Sequence, residues 1–236
     1  MRGLLLALGF TAAGAAHGAH PLVTEDTGTQ GAGGWQLEVS SEWLREESAR
    51  AVLPAAALAY GVTEAIDMQL STAYLDIEGG SHGVLDTVIE AKWRFHERGP
   101  LSLALMPAIR FPTGDETKGL GTGSTGWGMR AIASYGPEGD WALHTHAGYT
   151  ENRNRIGERV SLWEIAGALV WQASTSLKLA IDLSALNNPA GGGALRQVVL
   201  GAIYAVSDDL DLDIGVRWSS EAAVDEVLLA GVTLRW

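Results

Sequence analysis

The last ten residues, Val227–Trp236, alternate strictly. Leu228, Ala230, Val232, Leu234 and Trp236 share one face of an extended strand, and Gly231, Thr233 and Arg235 share the other. Period two marks a strand with one apolar and one polar side. A soluble domain seldom ends on a free apolar strand face, because chain ends fray. A barrel that closes on its first strand inside a membrane needs such an end. The same period recurs upstream at Trp35–Leu44, Ala51–Tyr60, Ala65–Ile77, Val84–His96, Leu101–Phe111, Trp127–Tyr135, Trp141–Thr150, Val160–Trp171, Leu177–Ala185, Leu195–Ala205 and Leu210–Trp218. Ala51–Tyr60 alternates weakly, and Leu195–Ala205 is apolar on both faces, so its orientation stays open. Pro107 counts against a central position for its strand, since it lacks a ladder donor. With the terminal strand these make twelve segments of about ten residues each, the length a tilted strand needs to span a bilayer.

The connections alternate in kind. Five are tight, such as Gly61–Glu64 and Gly136–Asp140; six are longer and polar, such as Arg45–Arg50 and Pro112–Gly126. Short turns at one end, long loops at the other and an even strand number describe an outer-membrane barrel with both chain ends on the periplasmic side. The aromatic residues agree. Trp35, Tyr60, Trp93, Tyr135, Trp141 and Trp236 fall near the short-turn ends; Trp43, Tyr74, Phe111, Trp127, Tyr149 and Trp218 fall near the long-loop ends. Amphipathic rings settle at headgroup level and give two girdles. The pattern predicts an all-β protein, a single antiparallel transmembrane β-barrel of about 12 strands spanning residues 35–236.

Composition narrows the picture further. Charged residues are only 19% of the 236, below the usual quarter. No apolar run past the N-terminus approaches the length of a transmembrane helix. Residues 1–18 read as a signal peptide, with Arg2 before an apolar stretch from Leu4 to Ala16 and a small-x-small site that directs cutting before Ala19. The exported chain has no cysteine, so disulfides and thiolate metal sites are excluded. A net charge of −12 argues against nucleic acid. Residues 19–34 read as an irregular segment at the periplasmic mouth. Outer-membrane lipid and the barrel-assembly machinery are the expected partners, with Leu234 and Trp236 as the assembly signal.

With one face of each strand against lipid, the polar face lines the lumen. Glu90, Lys92, Arg94 and His96 of one strand, Arg130 of another, His144 and His146, then Glu164 and Asp182 point inward. Hairpin symmetry sets His146 opposite both Glu164 and Arg130, with Asp182 close to Glu164. Arg130, His146, Glu164 and Asp182 are thus expected to converge at mid-height as a mixed-charge constriction that selects solutes. The alternative is a salt-bridged plug that only satisfies charges. Ser161, His144 and His146 also allow a lipid or lipopolysaccharide hydrolase, although no nucleophile elbow is present. His144-x-His146 is too little for a metal site, and no cofactor or catalytic residue is expected. Gly119–Gly126 is rich in glycine but precedes no helix, which makes it a flexible surface loop rather than a phosphate cradle.

His20–Gly31 followed by Trp35-Gln-Leu-Glu38, together with Pro107-Ala-Ile-Arg-Phe-Pro-Thr-Gly-Asp115 and the Asn-containing loop after the ninth strand, resembles a bacterial family named for the meta-pathway of phenol degradation and called "transporter". The resemblance implies an outer-membrane barrel that passes small molecules by passive diffusion, aromatic or hydrophobic ones among them. It brings no catalytic residue.

Overall fold

The computed structural model describes residues 20–45, 50–220 and 226–236. The signal-peptide segment, 1–18, lies outside these residues. The strands are β1 (Trp35–Arg45), β2 (Arg50–Thr63), β3 (Ile66–Ile77), β4 (His82–Val84), β5 (Thr87–Arg98), β6 (Leu101–Phe111), β7 (Gly126–Tyr135), β8 (Trp141–Glu151), β9 (Ser161–Gln172), β10 (Leu177–Asn187), β11 (Ala194–Ala205), β12 (Leu210–Ser220) and β13 (Glu226–Arg235). A single 3-10 turn covers Glu116–Lys118. β4 and β5 both pair with β3, so they are two pieces of one wall strand. Each strand is antiparallel to the next, and β13 returns to β1 from Gln36–Arg235 to Leu44–Val227. The result is a closed barrel of 12 antiparallel strands. Closure leaves no unpaired edge, as hydrocarbon demands of any β structure.

The seam is finished at Trp236. The Trp35 amide donates to the Trp236 carbonyl (2.9 Å), and the Trp236 amide donates to that of Trp35 (3.1 Å). Their rings stack at 6.3 Å. The two girdles are present as expected, because the aromatics of both ends are outward and exposed. Ile165, Leu183 and Ile214, between the girdles, are each more than half exposed and so belong to lipid.

The inward and outward sets follow the sequence alternation with four differences. β11 turns Leu195, Gln197, Val199, Gly201 and Ile203 inward, an orientation that its two apolar faces could not reveal. The β5–β6 register shifts by one between Arg94 and His96, which sets His96 beside lipid-facing Leu103 rather than in the lumen. Strict alternation with Ile89 and Trp93 predicts a lipid-facing Leu85, but it is buried inside, because the wall strand breaks at Leu85–Asp86. Asp86 leaves the ladder to accept from the amides of Gly114 (3.0 Å) and Thr122 (2.9 Å). Those bonds draw in the glycine-rich loop. Leu120 enters the interior instead of lying on a free surface loop.

The interior is also less polar than expected. Toward the long-loop end Leu44, Leu53, Leu75, Leu120, Val227 and Leu229 form a buried apolar cluster within the barrel, with Val23 packed against it. β2 alternates weakly in sequence for this reason: one of its apolar faces meets lipid and the other meets this cluster. Pro107 faces outward. The β5–β6 pairing passes from Glu90–Ala108 to Trp93–Leu105, so its missing donor falls where the ladder makes no pair.

Candidate functional site

An extended segment outside the sheet must still satisfy its backbone N–H groups. Residues 20–34 do so inside the barrel. At the short-turn mouth the Gly33 amide donates to the Gly61 carbonyl (2.8 Å), and the Gly61 amide donates to Gly34 (2.9 Å). A Cβ on Gly61 would lie 1.7 Å from the Gly31 oxygen, so only glycine fits. From there the chain runs up the lumen, held by inward side chains. The Gln30 amide donates to Asp67 (3.0 Å), Thr27 to Ser134 Oγ (3.1 Å), Glu25 to His146 Nδ1 (3.0 Å), Thr24 to Asp182 (2.7 Å) and Val23 to Asp182 (3.0 Å). The His20 ring bonds Asp213. The segment is therefore not confined to the mouth: it reaches the middle of the barrel and plugs part of it.

Glycines on the inner wall make room. A Cβ on Gly201 would lie 2.6 Å from Pro21, and one on Gly215 would lie 2.9 Å from it. Glycine within a strand signals the close approach of another backbone. Such glycines are the trace that the plug leaves in the sequence.

The expected charged layer forms in part. Arg130 Nε donates to Glu164 (2.5 Å) and Nη1 to Glu90 (3.1 Å). His146 Nε2 lies 3.9 Å from Glu164. Since His146 Nδ1 accepts from the plug, the ring proton sits on Nε2 and faces that carboxylate. The register differs from the expectation by one pair: His146 faces Ile132 and Ala166, while Arg130 and Glu164 flank Gly148. A shift of two keeps every residue on its face, so the alternation could not detect it. Gly148 explains how the two side chains meet. Its missing Cβ would lie 2.6 Å from the Glu164 carboxylate and 3.2 Å from Arg130. Asp182 does not join the layer; it faces Ala168 and Val199 and holds the plug.

The other expected lumen residues divide by role. Lys92 pairs with Glu25 of the plug at 3.3 Å, with Asp26 at 3.9 Å. His144 Nδ1 meets Ser134 Oγ at 2.8 Å. Arg94 is at the short-turn mouth, where it donates to the Glu64 carbonyl (2.9 Å). Leu234 and Trp236 face outward. Ser161 lies at the long-loop rim against the Tyr149 hydroxyl (3.2 Å), away from both histidines. Among the described residues no group of three metal-ligating side chains converges. Three further residues carry roles that sequence reasoning did not assign. Glu42 receives two N–H groups of buried Arg217. Met106 pairs across strands with Arg130. Glu158, in the β8–β9 loop, has its carboxyl pushed up by burial, with Asn152 donating to it at 2.9 Å.

Space remains beside the plug among the described residues. A cavity of about 390 Å³ opens at the short-turn end between the plug and residues such as Gln36, Asp67, Lys178, Asp211 and Arg235. A smaller one, about 60 Å³, lies nearer the long-loop end beside Val88, Ala108, Arg110, Gly126 and Thr150. Glu90, Arg130 and Glu164 border the second.

The family model described as "Putative MetA-pathway of phenol degradation" matches residues 19–236. Among curated proteins no relative matches the chain. Among solved structures, the COG4313 outer membrane channel from Pseudomonas putida F1 is similar at a TM-score of 0.69 and 14% identity, over 89% of this chain and 98% of that one. The NanC porin is similar at 0.67 and 9%, and the KdgM porin at 0.64 and 7%; each match covers 84% of this chain and 98% of the other. At these identities the likeness is one of fold.

Proposed function

The chain belongs to the family described as putative MetA-pathway of phenol degradation, and we propose that it is a passive channel for small molecules in the bacterial outer membrane. The observation that carries the proposal is the pair of cavities inside one closed barrel. One opens at the short-turn mouth and the other lies nearer the long-loop end, with the Glu90–Arg130–Glu164 bar on the border of the second and Met106 on the border of both. A structural barrel has no need of such a passage. The solutes we propose are small and weakly polar, aromatic or hydrophobic ones among them. Val88, Met106 and Ala108 give the outer cavity an apolar wall, and its small volume sets a narrow limit. Lipid of that membrane and the barrel-assembly machinery are the partners this reading implies, the latter recognising the Leu234–Trp236 end.

Planar bilayers test the proposal directly. The purified barrel is expected to give small, discrete conductance steps. Liposomes holding it should swell with small solutes and not with oligosaccharides. Background current from the wild type and from a variant with a released plug would overturn the channel reading. Catalysis is not part of the proposal, since Ser161 lies away from both histidines, His144 is engaged with Ser134 and His146 with the plug. Phospholipid hydrolysis that disappears in His146→Ala would replace the channel by an enzyme.

A further inference from the structure

Met106 borders both cavities. It is 1% exposed, sits directly across from Arg130, and packs with Ala104 and Ile132 on the inner wall. Among the described methionines, Met68 and Met129 face outward and Met106 alone turns inward. Its backbone lies where the β5–β6 ladder makes no pair, opposite Lys92. Near the long-loop end the β1–β3 and β11–β13 side is filled by the apolar cluster, and the second cavity lies against β5–β9. The first cavity is lined by the plug and mainly by β1–β3 and β10–β13, so Met106 stands where the border of one cavity meets that of the other while the plug stays seated.

We propose that Met106 is the shutter of the path between them. Its thioether closes the gap between the inner and outer cavities beside the Glu90–Arg130 pair. An unbranched side chain with three rotatable bonds can swing aside without moving the strand. Two kinds of surface then meet a solute side by side at the gap: an apolar, polarisable side chain and, on the neighbouring strand, a fixed ion pair. A hydrophobic constriction of this sort admits small, poorly hydrated molecules and holds back hydrated ions. The inference rests on the channel reading and names the residue that sets its selectivity.

The test uses the full chain in planar bilayers, with folding of each variant checked by heat-modifiable mobility. Met106→Ala shortens the side chain at the gap and is expected to raise single-channel conductance by about twofold, since the narrowest section limits flow. The protein has no cysteine, so Met106→Cys adds a unique thiol. A charged methanethiosulfonate added to the bath should react there and block the current. Ile132→Cys, on the same apolar patch but lining neither cavity, should carry on conducting. Conductance unchanged in Met106→Ala, or current that survives complete modification of Met106→Cys, would overturn the shutter. A wild type at background beside a conducting plug-released variant would also overturn it, by moving the path to the plug. Background current in every variant, the plug-released one included, would remove the channel reading itself.

Discussion

Asp182→Ala should release the plug without unfolding the barrel. Asp182 Oδ2 receives the amides of both Val23 and Thr24, at 3.0 and 2.7 Å, in a fully buried position. A hydrogen bond to a charged group contributes about 1.5–3 kcal/mol. Two donors share one oxygen here, so we take about 3 kcal/mol for the pair rather than the sum of two separate bonds. Oδ1 of the same carboxylate is buried with no hydrogen-bond partner. Its removal relieves a desolvation cost, and the strand itself loses little. At about 1.4 kcal/mol per tenfold, the unseated fraction of plug should rise about 10²-fold. A cysteine placed at Leu22, itself buried, reports this in a chain that has no other thiol. Its labelling rate follows the population of the open form when opening is fast. The expected result is labelling about 10²-fold faster in Asp182→Ala than in the parent, at unchanged heat-modifiable mobility. Equal rates in two folded barrels would refute the reasoning, because the plug would then be held by something other than Asp182.

Ile165→Arg should destabilise the barrel by about 2–4 kcal/mol if the residue lies at the bilayer midplane, whereas Glu164→Gln next to it should cost far less; equal midpoints in urea would sink the inside–outside assignment. Gly148→Val should force Glu164 and Arg130 apart, given the 2.6 and 3.2 Å approaches of a mere Cβ, and a changed ion selectivity should show it in reversal potentials. The inner cavity carries Asp26, Glu38, Asp67, Asp211 and Asp213 against Lys92, Lys178 and Arg235, five charges minus three, so the wild type should favour cations; anion selectivity at low salt would contradict that count. Burial raises the Glu158 carboxyl, so its ionised form weighs against folding at neutral pH and that cost lifts as pH falls through the raised value. Glu158→Gln, which keeps an acceptor for Asn152, should therefore melt later than wild type near neutrality and equally in acid.

The wall of this barrel was legible because lipid and lumen impose opposite preferences on alternate residues. Strand number, girdles, loop sorting and the inward position of Arg130, His146 and Glu164 all follow from that period. Wherever both faces are apolar, the signal fails. β11 could not be oriented, and the inner Leu53 and Leu75 went unrecognised, because an apolar interior cluster looks like a lipid face. Register escaped for a different reason. A shift by two residues preserves every inside and outside assignment, so hairpin symmetry misplaced His146 by one pair. The plug escaped because it has no period at all. Its backbone is held by side chains from strands more than a hundred residues away in most cases, and glycines such as Gly61, Gly201, Gly215 and Gly231, which a Cβ would drive into it, are its local sign.

The width of the barrel accounts for this division of the interior. Eight strands leave a space that side chains just fill, and sixteen or more leave an aqueous channel. Twelve strands lie between these cases, too wide for side chains alone. Here the surplus is taken up in two ways. On the β1–β3 and β11–β13 side, large apolar residues turn inward at the long-loop end and pack on Leu120 and Val23. Through the middle, a stretch of chain enters, and because it makes no ladder each amide needs an acceptor. Asp67, Ser134, His146 and Asp182 are those acceptors. The same polar side chains that a sequence suggests as a solute filter are thus largely committed to the plug. What the plug and the cluster leave over is the cavity at the short-turn end, lined mainly from β1–β3 and β10–β13, and the smaller one along β5–β9, where an arginine held between two carboxylates lies beside one methionine. Selectivity in such a barrel comes from the space that the plug and the packed cluster leave over.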